Sequence, residues 1–266
     1  MKKITKENAE FQLLEAFKNT RNKRQKNNSV FVDDVKAINV IIKKWIKIKS
    51  VYCLENIIVS DWAKNVIWKW EEIFEITWEL MEKLVSKEKL PELIIISEMP
   101  KYDFFNIKIK ENFVYLVIDR PVNKWNLWTI IRSANSFWVD TIFIYWHWVD
   151  VFDPEVIRSS VWTVFDIPIV KNIEFKEFNI WLDKLQEKNN SIKIVWTSAK
   201  ANKYIQEVNF KNSTILMVWN ETFWLNEKLK ELSNEFVKIP MSWIATSLNV
   251  WNATSICLYE IQRQRI

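Results

Sequence analysis

The chain of 266 residues contains no glycine. An ordinary soluble protein is about 7% glycine, so roughly 19 are missing, and with them the residue that enters left-handed turns without steric cost. Other scarcities narrow the class. The single histidine, His147, leaves no ligand set for a zinc site, and the two cysteines, Cys53 and Cys257, are far apart and flanked by apolar residues, as reduced core thiols are. No apolar run approaches the roughly 18 residues of a membrane span. The start of the chain, Met1 to Glu7, carries Lys2, Lys3 and Lys6 but not the apolar stretch of a signal peptide. The expectation is a cytoplasmic protein that binds neither membrane nor metal.

Tryptophan is in excess, with 17 residues, nearly the number of glycines missing. It stands at glycine addresses. Trp62 follows Asp61 as in a D-G turn, and Trp45 and Trp138 close apolar-periodic helical stretches (37–44 and 127–137) where the C′ residue favours left-handed φ. Trp196 and Trp219 directly follow the β-rich runs 192–195 and 214–218. Most of these positions are therefore expected to be glycine in the working protein, through a codon such as UGA translated with the wrong genetic code. Trp181 is the expected genuine tryptophan, since it continues an apolar helical face with Phe178, Leu182 and Leu185, where glycine would destabilise. The alternative is a Trp-rich protein. Taken literally, each bulky residue forced left-handed costs about 1–2 kcal/mol and each overpacked site about 1–3 kcal/mol. Over a dozen sites this exceeds the roughly 5–15 kcal/mol that stabilises a domain, so the literal chain is expected to fold poorly.

The hydrophobic share of 49% is enough for real cores, and the length suits two modest domains or one large one. The net charge of +5 is uneven: residues 1–49 hold 13 Lys or Arg against five acids, which leaves the remainder about −3. A basic first third suggests a polyanion, most simply nucleic acid, although a solvated helix face produces the same run. Up to residue 108 the pattern predicts a small α/β domain: a basic helix over 7–26, strands at 30–32, 46–54, 73–77 and 93–97, and helices over about 34–45 and 79–85. Residues 100–111 read as a linker. From Phe113 onward, continuous apolar strands alternate with helices, the pattern of a mostly parallel sheet covered on both faces. The fold class is α/β, and loops after such strands bind ligands.

Three strings follow strands of this second region. They are N-L-W-T-I-I-R-S-A-N-S-F-W-V-D over 126–140, L-M-V-W-N-E-T-F-W-L over 216–225 and I-P-M-S-W-I-A-T-S-L-N-V-W-N-A over 239–253. With glycine at the Trp positions they resemble, in order and spacing, the three motifs of the SpoU/TrmH family of RNA 2′-O-ribose methyltransferases, in the SPOUT class. The string D-P-E-V-I-R-S-S-V-W-T-V-F-D-I-P over 153–168 also looks like that family, and the first 108 residues are similar to its ribosomal-protein-like RNA-binding domain. One departure is at Asp33 and Asp34, where the family usually has an acid followed by glycine.

The resemblance implies an N-terminal RNA-binding domain over 1–108 and a methyltransferase domain over 109–266. The latter would carry a C-terminal trefoil knot that binds S-adenosyl-L-methionine and pairs in a homodimer. The substrate would be a ribose of ribosomal or transfer RNA. Residue by residue, it places Asn126 and Arg132 at the functional positions of motif one, Glu221 at the motif-two acid, and Ser247 and Asn249 at the motif-three polar pair. The cofactor would lie against Trp196, Thr197, Ser198, Trp219, Ile239, Pro240, Met241, Leu248, Asn249 and Val250. Trp219, Trp243 and Trp251 are where an indole would obstruct the knot first.

Each residue also has a plainer reading. Asn126 before a helix is an N-cap, Glu221 alone is a carboxylate at a helix start, and His147 is a solvated loop histidine. A non-catalytic RNA-binding or ribosome-assembly protein on the same fold, and a base-methylating knot enzyme, are the competing functions.

Overall fold

The computed structural model describes residues 1–55, 60–70, 72–85, 90–146, 149–219, 227–242 and 247–266. They form two compact units, one of Met1–Pro100 with 152–165, the other of Lys101–Val151 with 166–266. The boundary expected at residue 108 therefore moves to 100. Residues 152–165, expected in the second domain, fold with the first, because the helix they contain packs on a strand of that unit.

The first unit runs β1 (Lys2–Ile4), α1 (Ala9–Asn19), α2 (Arg21–Asn27), β2 (Ser29–Val32), α3 (Val35–Lys43), β3 (Ile48–Leu54), α4 (Asp61–Ile67), β4 (Ile73–Ile76), α5 (Trp78–Leu84) and β5 (Leu93–Glu98). The expected single basic helix is broken at Thr20, whose extended backbone (φ −123°, ψ 110°) ends α1 and starts α2. Asp34 caps α3 through the Lys36 and Ala37 N–H groups, so the paired acids accommodate the turn without glycine. The sheet order is β1-β4-β3-β5-β2. Phe11, Leu14 and Phe17 of α1 and Leu80, Met81 and Leu84 of α5 pack with Phe31, Tyr52, Phe74 and Ile76 of the sheet.

The second unit runs β6 (Val114–Asp119), α6 (Lys124–Ser136), β7 (Thr141–Tyr145), then, after α7 (Pro154–Ser159) of the first unit, β8 (Ile169–Ile173), α8 (Phe175–Lys188), β9 (Lys193–Thr197), β10 (Lys203–Tyr204), β11 (Thr214–Val218), α9 (Glu227–Glu231), β12 (Glu235–Lys238) and α10 (Val250–Arg263). Its seven strands are ordered β10-β12-β9-β11-β6-β7-β8 and every pairing is parallel. Tyr115, Val117, Phe143, Ile194, Ile215 and Met217 pack under Phe178, Trp181, Leu182 and Leu185 of α8. Helices α6 and α10 bury Leu127, Ile130, Ile131, Cys257, Leu258 and Ile261 outside that cluster. Burial on both faces explains the unbroken apolar strand sequences. Both cysteines are buried free thiols, and burial pushes Cys257 up to about 12.

Trp45, Trp138, Trp146 and Trp162 have left-handed φ of 44–65°, as expected for the helix-closing pair Trp45 and Trp138. Trp62 does not follow the expectation: Ser60 caps α4 through the Ala63 N–H, so Asp61 and Trp62 form its first turn rather than a D-G turn. Nor does every indole crowd the core, since Trp45 is 93% exposed and Trp68 86%. Among the described residues, the backbone strain at these four tryptophans costs about 4–8 kcal/mol, comparable to the net stability of a domain. Trp181 is buried in its helix against Tyr115, Phe143 and Phe178, at ring separations of 5.8, 5.1 and 5.7 Å. His147, Trp148, Glu221, Trp224 and Trp243 lie outside the described residues.

Candidate active site

In a parallel sheet all strands end on one edge, and that edge receives ligands. Strands β12, β9 and β11 are neighbours, which brings the last residue of β9, Thr197, and the residues that follow the three strands, Ile239–Met241, Ser198 and Trp219, to one edge. Register pairs Trp196 with Phe236 and Thr197 with Val237, and the Ser198 N–H donates to the Val237 carbonyl at 2.8 Å. Stretches far apart in sequence thereby become one surface.

The Thr197 hydroxyl is buried with no partner among the described residues, a polar atom that a ligand or water at this edge would satisfy. Its position, the apolar Ile239 and the Met241 beside it match a sulfonium nucleoside in kind. Trp196 does not: its indole is buried against Phe236 at 5.4 Å, with its N–H also unpartnered. A hydrogen at that position in place of an indole would clear the strand end for backbone contact with a ligand.

Motifs one and three meet through α6 and α10. The Ser133 and Ser255 hydroxyls are 2.8 Å apart, Gln262 Nε2 donates to the Phe137 carbonyl at 2.7 Å, and Phe137 meets Tyr259 edge-on at 6.2 Å. Asn126 is half-buried in the first turn of α6 and Arg132 is exposed two turns on. Asn126 is not the N-cap; Asn123 is, accepting from the Trp125 N–H at 2.7 Å. The last helix begins at Val250. Asn249 caps it by accepting from the Trp251 N–H at 3.1 Å, so Ser247 and Leu248 lie in the approaching loop. Ser247 and Asn249 are exposed, Leu248 is half-buried and Val250 is buried.

Among the described residues no hydrogen bond joins Asn126, Arg132, Ser247 and Asn249 to one another, and the motif-two acid Glu221 falls outside them. What the fold unites is the pair of helices that carry them. Two open cavities, about 290 Å³ beside Asn190, Lys193, Asn212 and Asn234 and about 500 Å³ beside Asn112, Lys211 and Arg265, lie at the opposite, N-terminal ends of the strands. They are not where a parallel sheet does chemistry. Sequence reasoning passed over Asp119 and Arg120 at the end of β6, although a carboxylate closing an apolar strand ahead of Arg and Pro is a visible signal. It also passed over the Ser133–Ser255 contact, which no local spacing announces.

Residues 113–259 match the family model described as the SpoU rRNA Methylase family, and residues 8–95 match the SpoU L30e-like domain. A 23S rRNA (uridine(2479)-2′-O)-methyltransferase of Streptomyces viridochromogenes is 31% identical across 100% of this chain and 93% of its own length. A tRNA (guanosine(18)-2′-O)-methyltransferase of Aquifex aeolicus is 28% identical over 70% of this chain and 81% of its own. Among solved structures, the SpoU methyltransferase AviRb of Streptomyces viridochromogenes in complex with AdoMet superposes with a TM-score of 0.86 at 29% identity, covering 97% of this chain and 99% of that one.

Proposed function

The chain belongs to the SpoU rRNA methylase family and is an S-adenosylmethionine-dependent RNA 2′-O-methyltransferase, and from that premise we propose that its target is a ribose of 23S ribosomal RNA. The observation that carries the choice is the match to a 23S rRNA enzyme over the whole chain, substrate-binding unit included, whereas the tRNA enzyme aligns with 70% of it. Ribose-methylation mapping of 23S rRNA and tRNA, with and without the gene, tests it. A gene-dependent methyl group in tRNA alone overturns the choice.

The bound cofactor supplies an activated methyl group. The chain's task is alignment with the ribose 2′-hydroxyl and stabilisation of the alkoxide that develops there. The backbone of residues 196–198, 219, 239–241 and 248–250 holds the cofactor, with Thr197 and Ser198 adding hydroxyl contacts, in a trefoil knot. Arg132, exposed on α6, clamps the substrate phosphate and stabilises the alkoxide. A guanidinium does not readily surrender its proton, so the 2′-hydroxyl proton passes to a substrate phosphate. Asn126 organises the loop, Glu221 orients Arg132 or the nucleotide, and Ser247 and Asn249 shape the turn into α10. The enzyme acts in the cytoplasm as a homodimer through the knot region, a reading supported by Ile256 and Tyr259 exposed on α10; sedimentation as a monomer would exclude it.

The same reading includes glycine at most of the 17 tryptophan positions. Its support is conformational: four described tryptophans hold left-handed φ, a region that bulky residues avoid. Trp62, Trp78, Trp125, Trp128, Trp181 and Trp251 lie inside helices, where no such argument applies. Peptide mass spectrometry of protein from its own host decides each position, and tryptophan found at 45, 138, 146 and 162 would sink the idea.

A further inference from the structure

Nine described residues have left-handed φ. Three are asparagine, which tolerates the region, and four are Trp45, Trp138, Trp146 and Trp162. The remaining two are Val161 and Arg120. Arg120 follows β6 directly, at φ 45°. Its N–H donates to the Tyr145 carbonyl at 2.8 Å, tying the end of β6 to the end of β7. Its Nε and Nη2 each donate to a carboxylate oxygen of Asp119 at 2.9 Å, and the Asp119 side chain is fully buried. The Arg120 side chain is about a quarter exposed (24%). A strained backbone and a buried carboxylate thus both serve to fix the orientation of one cation at the sheet edge. Strain of this kind persists where the surroundings over-determine it and concentrates at binding sites.

The location is specific. The cofactor stretches follow β12, β9 and β11, while Arg120 and Tyr145 end β6 and β7 on the other side of β11. Residues 120–123 then lead straight into α6, which carries Asn126 and Arg132. Tyr145, opposite Asp119 in register, is half-buried at the same edge.

We propose that Arg120, oriented by Asp119, binds a phosphodiester of the RNA next to the target ribose, with Tyr145 beside it as an aromatic face for a base. This rests on the methyltransferase reading above. A planar guanidinium suits phosphate oxygens in a way a lysine ammonium does not, and a phosphate held at the end of β6 lies on the strand that leads into α6, which carries Asn126 and Arg132.

The experiment uses the full-length enzyme from its own host background with R120K and the double variant D119N/R120Q, which leaves no buried unpaired carboxylate. The probe is in vitro transcribed 23S rRNA. For D119N/R120Q the half-saturating RNA concentration is expected to rise about tenfold or more, the size of one lost charge-assisted contact. The slope of log affinity against log salt should shrink by about 0.7, while S-adenosylmethionine affinity stays within about twofold. R120K should keep the slope and lose affinity several-fold. Unchanged RNA affinity and salt slope in D119N/R120Q overturn the proposal, as does parallel loss of RNA and cofactor binding. If the double variant fails to fold, R120K decides: unchanged RNA affinity there is equally fatal. Binding and salt slope are read without turnover, so they test Arg120 separately from the methyl-transfer reading, which falls if the wild-type enzyme methylates no ribose.

Discussion

Replacing Arg24 by methionine should strongly destabilise the first unit. Arg24 is the largest of the fully buried side chains, 1% exposed, in a unit otherwise packed with phenylalanine and isoleucine. Its Nη1 donates to the carbonyls of Phe17 and Lys18, both at 2.8 Å, and its Nη2 lies 3.7 Å from Asp153 Oδ2. Phe17 and Lys18 belong to the last turn of α1, whose carbonyls have no partner within the helix. One side chain of α2 therefore closes the end of α1 and meets the capping residue of α7. Methionine fills similar volume but removes the cation that the two carbonyls and Asp153 share. Losing a buried charge of this kind costs about 3–5 kcal/mol, a large share of the roughly 5–15 kcal/mol available. Asp153→Asn separates the contributions, because asparagine caps a helix as well as aspartate and preserves the bond from the Glu155 N–H. It should cost about 1 kcal/mol. Urea unfolding followed by circular dichroism, with hydrogen exchange at α1 amides, measures both. A loss below about 1 kcal/mol in Arg24→Met, or equal losses in the two variants, would refute the account.

Arg132→Ala should abolish methyl transfer while S-adenosylmethionine affinity, by calorimetry, stays nearly unchanged, and Arg132→Lys should recover little because a point charge lacks the planar fork; equal loss of both would move Arg132 into the cofactor pocket. Burial alone raises the Glu235 carboxyl, but hydrogen bonds from Lys203 and Lys193 and their charges outweigh it and hold it below the usual range. Its stabilisation is therefore present above the unfolded value near 4.3 and is lost as pH falls through the lower folded value, so melting temperature should drop on acidification and Glu235→Gln should flatten that drop. Lys23→Glu with Lys26→Glu, both exposed on α2, should weaken binding of 23S rRNA and lessen its salt dependence; the full chain is required because residues 1–108 lack Asp153 and the rest of α7.

The alternation of continuous apolar strands with helices after Phe113 was enough to read a parallel α/β sheet, since a strand buried on both faces has no polar side to show. Asp34 and the helix over 35–43 were legible for an equally local reason, a side-chain cap followed by an apolar period. The left-handed backbone at Trp45 and Trp138 was legible because a helix end constrains φ within a few residues. Trp62 was misread because the same Asp-Trp pair fits a turn or a first helical turn, and Ser60 settles which. Other features depended on contacts between distant residues. The strand order that sets Thr197 beside Val237, the serine pair joining α6 to α10 and the folding of 152–165 with the first unit all rest on pairings across tens to more than a hundred residues. No periodicity encodes such partners. Arg120 shows the same division: its sequence neighbours reveal a carboxylate, an arginine and a proline, and only the end of β7, with the Tyr145 carbonyl waiting for its N–H, holds that arginine in a conformation it would not choose alone.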